Sequence, residues 1–337
     1  MTFALSIRFQ LRALFFALCV FLVSAALPST ARAHAGYGIV VDAQGRVCFL
    51  DATRSRIWRV EPDGRLTSLA SNTHGNNLAL DAAGNLYAQN FNQTIWKITP
   101  EGKVTAVLEG SSIGTLNEFL TVDAAGNLIL AEGNDFHGRA PRLLKHSPDG
   151  RVSELSSGLG VFISAAWGPD GSLYLTEATR IRRLSPNGSA SIVAEGFQRL
   201  MGIAVDAGGT VYVVDSDAFR VLKVTPEGRS SVLLRTWLPW KPAAVAVHGG
   251  NVFVQERMFV PFPFALQTLF RTYRIRRISP DGRQFTLASV GGTGMYVVLL
   301  VLLGMIGLMY WWRRKRRAAR ARTSSECSAP LAQPAQK

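Results

Sequence analysis

Cysteine is nearly missing from this chain: 337 residues carry three, Cys19, Cys48 and Cys327. Cys19 and Cys327 fall in the terminal segments, so Cys48 stands alone between them and no internal disulfide is available there. Stability has to come from a packed core, which roughly 260 residues are enough to form. Cys48, inside an apolar strand pattern, reads as a small packed hydrophobe. Histidine is also scarce, with His34, His74, His137, His146 and His248 as the full set, and no two of them share a motif spacing. Neither a CxxC pair nor a phosphate-cradling glycine loop occurs. Helical periodicity is absent until the C-terminal end. Acids are few, 23 against 37 Lys and Arg, but three of the cations lie in residues 1–33 and eight in residues 313–337. The formal charge of +14 therefore belongs mostly to the ends, and nucleic-acid binding is not supported.

What the chain has is repetition. One tight turn reads DAQG (42–45), DAAG (81–84), DAAG (123–126), GPDG (168–171), DAGG (206–209) and HGG (248–250). A second reads EPDG (61–64), TPEG (99–102), SPDG (147–150), SPNG (185–188), TPEG (225–228) and SPDG (279–282). Between the turns lie short apolar strands; in the second copy they are expected over 78–80, 86–88, 95–98 and 104–108. Six copies of four antiparallel strands predict an all-β, six-bladed β-propeller over residues 34–292. The Asp/Gly turns are hairpin chemistry, with Gly supplying positive φ, and not calcium loops. Four strands per blade is an even number, so first strands start on the face where second and fourth strands end.

Two further segments flank the repeats. Arg8 and Arg12 precede an apolar stretch from Ala13 to Leu27, and Ala31-Arg32-Ala33 follows, the pattern of a secretory signal peptide over residues 1–33. Met295 to Trp312 carries no charge and is bordered by Arg313-Arg314-Lys315-Arg316-Arg317. Its 18 residues reach about 27 Å as a helix, enough for one C-terminal transmembrane helix within a linker-and-span segment, 293–312. The cations place a basic tail, 313–337, in the cytoplasm. The propeller is then expected on the periplasmic or extracellular side, single-pass, with the membrane as one partner. Two insertions, Gly133 to Pro141 and Arg257 to Tyr273, fall between second and third strands on the membrane-side face. The second reads RMFVPFPFALQTLFRTY, a composition suited either to the headgroup boundary or to a lid or partner contact.

The segments GIVVDAQGRVCFLDATRSRIWRV (38–60) and GIAVDAGGTVYVVDSDAFRVLKV (202–224) resemble the NHL-repeat family. The same signature is similar to the gluconolactonase and streptogramin-lyase groups of propellers. The gluconolactonase resemblance implies a divalent metal, calcium or zinc, held in the central channel by oxygen ligands at the starts of first strands. On the turn alignment those positions are Tyr37, Asn76, Glu118, Ile163, Met201 and Ala243; Ile163 and Met201 cannot supply oxygen to a hard cation. The streptogramin-lyase resemblance implies paired catalytic histidines, which have no clear counterpart here.

One register recurs in chemistry. The residues expected to close the second strands are Asp51, Asn90, Glu132, Glu177, Asp215 and Glu256, either caps for the following loop or a ligand-binding ring. With residues at the first-strand starts, the ligand-binding candidates are His74, Asn76, Asn117, Glu118, Glu132, Glu177, Arg199 and Glu256, and Glu118 and Glu177 are the candidate metal ligands. The expected function is a membrane-anchored binding or scaffolding module holding a protein, glycan or lipid-linked ligand at the membrane-side channel mouth. The alternative is a metal-dependent lactonase or a lyase-like enzyme with a rearranged site.

Overall fold

The computed structural model describes residues 38–52, 54–71, 77–90, 93–109, 117–133, 141–259, 272–291, 304 and 306–314. It holds six antiparallel sheets of four strands, each a simple meander. The first blade is Ile39–Val41 (β1), Val47–Asp51 (β2), Arg56–Val60 (β3) and Leu66–Ser71 (β4). The second is Leu78–Leu80 (β5), Leu86–Gln89 (β6), Ile95–Ile98 (β7) and Val104–Leu108 (β8). The third is Asn117–Val122 (β9), Leu128–Glu132 (β10), Arg142–His146 (β11) and Val152–Ser156 (β12). The fourth is Ser164–Trp167 (β13), Leu173–Thr176 (β14), Arg180–Leu184 (β15) and Ala190–Glu195 (β16). The fifth is Leu200–Val205 (β17), Val211–Asp215 (β18), Arg220–Val224 (β19) and Ser230–Arg235 (β20). The sixth is Trp240–His248 (β21), Asn251–Met258 (β22), Tyr273–Ile278 (β23) and Gln284–Val290 (β24).

The turns explain the meander. In the second blade Asp81 Oδ1 accepts the backbone N–H groups of Ala83 (3.0 Å) and Asn85 (2.9 Å), which folds β5 back onto β6. Gly84 closes that turn at φ +77°, a conformation that costs a residue with a Cβ about 1–2 kcal/mol. Tyr87 returns its hydroxyl to Asp81 Oδ2 at 3.1 Å. Burial holds the pKa of the Tyr87 hydroxyl well above its usual range, with the Asp81 contact adding to the effect. The Asp carboxylates of these turns are thus consumed by local donors, as hairpin chemistry requires.

Burial falls from the second strand outward. All of β2 and β18 is buried, whereas Val104 and Val107 of the outer β8 stand in solvent. The sheets pack face to face, and each of six apolar clusters joins residues of two neighbouring blades. One of them carries Ile39 and Phe49 of the first blade together with Phe253 and Ile275 of the sixth, which closes the ring. Gln255 Nε2 adds a polar tie across the same seam, donating to Leu50 O at 2.7 Å.

First strands crowd one another around the axis, and two glycines there have a steric reason. A Cβ on Gly202 would lie 2.7 Å from Ala244 Cα, and one on Gly38 would lie 2.7 Å from Leu78 Cγ. Both positions face the first strand of the next sheet, so the Gly opening each NHL-like segment permits close backbone approach.

The chain divides into two compact units, Met1–Gly291 and Gly292–Lys337. In the second, residues 306–314 are helical. The span expected over 295–312 lies largely outside the described residues, and among the described residues no helix is long and apolar enough to cross a membrane. The expected signal peptide also lies outside them, as do the interiors of both insertions; the flanking strands place those insertions between β10 and β11 and between β22 and β23.

Candidate functional site at the first-strand rim

Pairing registers fix which residues share a rim. Asn117 opposes Glu132, and Leu200 opposes Asp215, so first strands begin where second strands end. Glu132 opposes Arg142, Asp215 opposes Arg220 and Glu256 opposes Arg274, which sets the starts of third strands beside the same acids.

These acids form an inner-blade ring of ion pairs. Glu256, fully buried, accepts Arg274 Nε at 2.6 Å and Arg276 Nη2 at 3.0 Å. Asp215, equally buried, accepts Arg220 Nη2 at 2.8 Å and the backbone N–H groups of Gln198 (3.1 Å) and Arg199 (3.0 Å). Glu177 accepts Arg182 Nε at 2.6 Å and Arg180 Nε at 2.9 Å, with Gly160 N at 3.4 Å. Asp51 accepts Arg54 Nη1 at 2.7 Å and Trp58 Nε1 at 3.2 Å. Glu132 pairs with Arg142. The sixth member, Asn90, accepts Thr94 N at 2.9 Å. Where the closing residue is an acid an arginine opposes it, and where it is an amide a threonine does.

Three of the ligand-binding candidates, Glu132, Glu177 and Glu256, stand at the expected second-strand ends and have arginine partners there. Their carboxylates are held by guanidinium groups of their own sheets, and a cation at Glu177 would have to displace two arginines. The signal was present in the sequence: Arg56, Arg142, Arg180 and Arg220 each open a third strand, and Arg274 is the second residue of β23.

The first-strand starts are more varied. His74 and Asn76 lie outside the described residues. Asn117 opens β9. Glu118, half-buried, follows it opposite Ala131. Arg199 is exposed just before β17, with its backbone N–H on Asp215. Asn77 is the residue that the ligand list omitted. It is buried, and its Nδ2 donates to Phe119 O at 3.0 Å in the third blade and to Ile163 O at 3.3 Å beside the fourth, while Ser164 Oγ donates to its Oδ1 at 3.0 Å. The side chain of a second-blade residue thus bridges three blades near the axis.

At the positions where the lactonase resemblance implies oxygen ligands stand Ile163, half-buried, and Met201 and Ala243, both buried. Among the described residues no group of three His, Cys, Asp or Glu side chains converges. The described residues do not fit a cation held by three or more of these side chains.

Comparison with known proteins settles the lineage. Residues 35–255 match the SMP-30/gluconolactonase/LRE-like region. The chain belongs to this family. Among solved structures, this SMP-30/gluconolactonase/LRE-like propeller is similar to regucalcin, a calcium-binding protein from Agrobacterium tumefaciens, with 18% identity, a TM-score of 0.56, and coverage of 76% of this chain and 91% of the other. It is similar to a gluconolactonase from Xanthomonas campestris at 18% identity and a TM-score of 0.55, covering 66% of this chain and 84% of that one. A catalytically inactive virginiamycin B lyase from Staphylococcus aureus, solved with quinupristin, matches at 18% identity and a TM-score of 0.50, with 76% and 85% covered. At these identities the likeness is one of fold. No curated protein matches the chain.

Proposed function

We propose that this propeller is an enzyme of the lactonase and lyase kind, acting on a small cyclic ester or lactone at the channel mouth where the first strands begin. The observation that carries this reading is the family match over residues 35–255, which spans the first-strand starts of all six blades. It favours the enzyme alternative over a scaffolding module. Of the six positions that the lactonase resemblance marks at those starts, Glu118 is the one carboxylate, and it is half-buried. A carboxylate at the channel mouth can act as a general base, taking a proton from water or from carbon. Around it, the acids of the ion-pair ring set the strand ends and keep the mouth rigid. The test is turnover of a panel of aldonolactones and cyclic depsipeptides by the full chain. Wild-type turnover with loss of about 100-fold or more in Glu118→Gln, the scale of general acid–base catalysis, supports the reading. No turnover of either class overturns it, and turnover lost to a chelator and restored by calcium or zinc would make Glu118 a cation ligand instead.

A second reading concerns place, and a separate observation favours it. Residues 306–314 are helical and leave Ile306, Leu308, Met309, Tyr310 and Trp311 more than half exposed, directly before Arg313 and Arg314. Apolar side chains exposed all round a helix beside cations are unfavourable in water and match the edge of a bilayer. With the signal-peptide pattern over residues 1–33, it supports an exported propeller tethered at its C-terminal end. Membrane fractionation together with the mass of the mature N-terminus tests this: a soluble chain that retains residues 1–33 sinks it.

A further inference from the structure

The propeller's exposed apolar side chains are mostly single valines or isoleucines on outer strands, such as Val152 at 54% and Ile192 at 47%. One place departs from that pattern. Trp237, 76% exposed, and Leu238, 60% exposed, are adjacent in the loop between β20 and β21. That loop joins a fourth strand to a first strand and so lies on the rim of the candidate site.

The loop is built to hold them there. Trp240 N donates to Trp237 O at 2.8 Å, closing a tight turn, and Thr236 N donates to Phe219 O at 2.8 Å, tying its base to the β18–β19 hairpin. Behind it Lys241 Nζ lies 5.6 Å from the Phe219 ring and 5.2 Å from the Phe259 ring, and pairs with Asp217. Arg274 covers the Trp240 ring at 4.1 Å. A cavity of about 260 Å³, lined by Ala218, Phe219, Arg235, Thr236, Trp237 and Leu238, opens beside the pair. Ordering cost is therefore met within the fold, and the two apolar side chains project from a rigid mount.

We propose that Trp237 and Leu238 insert into the interfacial layer of an anionic phospholipid bilayer, with exposed Arg235 at the headgroups. Three observations choose lipid over another occupant. Tryptophan beside an aliphatic side chain is suited to the boundary between apolar chains and water. Exposed Arg199 and Arg235 put cations on this rim, where Lys241 pairs with Asp217 and Glu195 is the exposed acid at the end of β16; the arginines suit anionic headgroups. The propeller chain also ends on this rim: β24 runs out at Val290, Arg54 Nη2 donates to Gly291 O at 2.6 Å, and the uncharged stretch 295–312 begins four residues later. The proposal rests on the tethered reading and adds which rim meets the lipid and through which residues.

The test uses the full chain with Cys19 and Cys327 replaced by Ser, reconstituted in phosphatidylcholine–phosphatidylglycerol vesicles. An environment-sensitive dye is placed on Leu238→Cys, and in a parallel sample on Glu101→Cys in an opposite-rim turn. The expected result is a blue shift and loss of most emission to brominated lipid for the dye at 238, with none at 101, and weakening of both signals in a Trp237→Asp background. Flotation with the vesicles but water-like emission at 238 overturns the rim contact while leaving the tether standing. Failure to float overturns both. A blue shift that appears without vesicles and grows with protein concentration assigns the patch to a second copy of the chain and also overturns the proposal.

Discussion

Ser164 Oγ donates to Asn77 Oδ1 at 3.0 Å, linking the start of the fourth blade to the start of the second across the third. Asn77 Nδ2 spends its hydrogens on Phe119 O and Ile163 O. A single amide therefore satisfies an acceptor in the third sheet and another beside the fourth where the strands converge.

Replacing that amide should be costly out of proportion to its size. Asn77→Ala leaves two carbonyls and a serine hydroxyl without these partners, and buried polar groups left unmade cost about 1–3 kcal/mol each. The expected loss in denaturant-derived stability is about 3 kcal/mol or more. Ser164→Ala, which removes one of the three bonds, should cost about 1 kcal/mol. Equal values for the two would place the tie elsewhere.

The ion-pair ring separates buried from exposed pairs within one protein. Glu256 is fully buried between two arginines, so Glu256→Ala abandons two guanidinium groups and should cost about 3–5 kcal/mol. Glu132 faces an Arg142 whose side chain is 54% exposed. Solvent screens that pair, and Glu132→Ala should cost about 1 kcal/mol or less. Chemical denaturation of both variants checks the contrast.

The architecture was legible because blade chemistry repeats. Four DxxG turns, with GPDG and HGG in the same place in the other two blades, and six Pro-x-Gly turns set the hairpins, and the strands expected in the second copy differ from the observed ones by one residue, Gln89. The site was less legible, for a physical reason. Glu132, Glu177 and Glu256 look like ligands when each strand is read alone, because a carboxylate's partner across a hairpin is not its neighbour in sequence. Reading β18 against β19 as a pair would have matched Asp215 with Arg220. Asn77 carries no such local signal, since its partners lie 42 to 87 residues away. The Trp237–Leu238 loop was likewise hidden, because an apolar pair in sequence looks the same buried or exposed.

Close packing at the axis makes one glycine a sensitive probe. A Cβ at Gly202 would meet Ala244 Cα at 2.7 Å and Val245 N at 3.1 Å, both backbone atoms that cannot swing aside. Gly202→Ala should therefore force β17 and β21 apart and cost about 1–3 kcal/mol, the usual range for overpacking. Gly64→Ala, in an outer turn with open space around it, should cost only the strain of its left-handed backbone, about 1 kcal/mol. A smaller loss at 202 than at 64 would mean that the inner strands are not packed as tightly as described.

Cys48 supplies the last prediction. It is buried in β2, and burial first, with the Asp42 charge adding to it, pushes its thiol from 9.0 up to about 12. The thiolate is the reactive form, so at pH 8 the native protein should modify about 1000-fold more slowly with a soluble disulfide reagent than the unfolded chain does. The same shift has a sign for stability. Below pH 9 the thiol is protonated in both states and contributes nothing; above it the unfolded chain releases a proton that the folded one retains. Stability should therefore fall as pH rises from about 9 towards about 12, and Cys48→Ala should flatten that part of the pH profile while adding its own cavity cost at every pH. Fast labelling of native protein at pH 8, or an alkaline slope unchanged in Cys48→Ala, would contradict the burial on which both expectations stand.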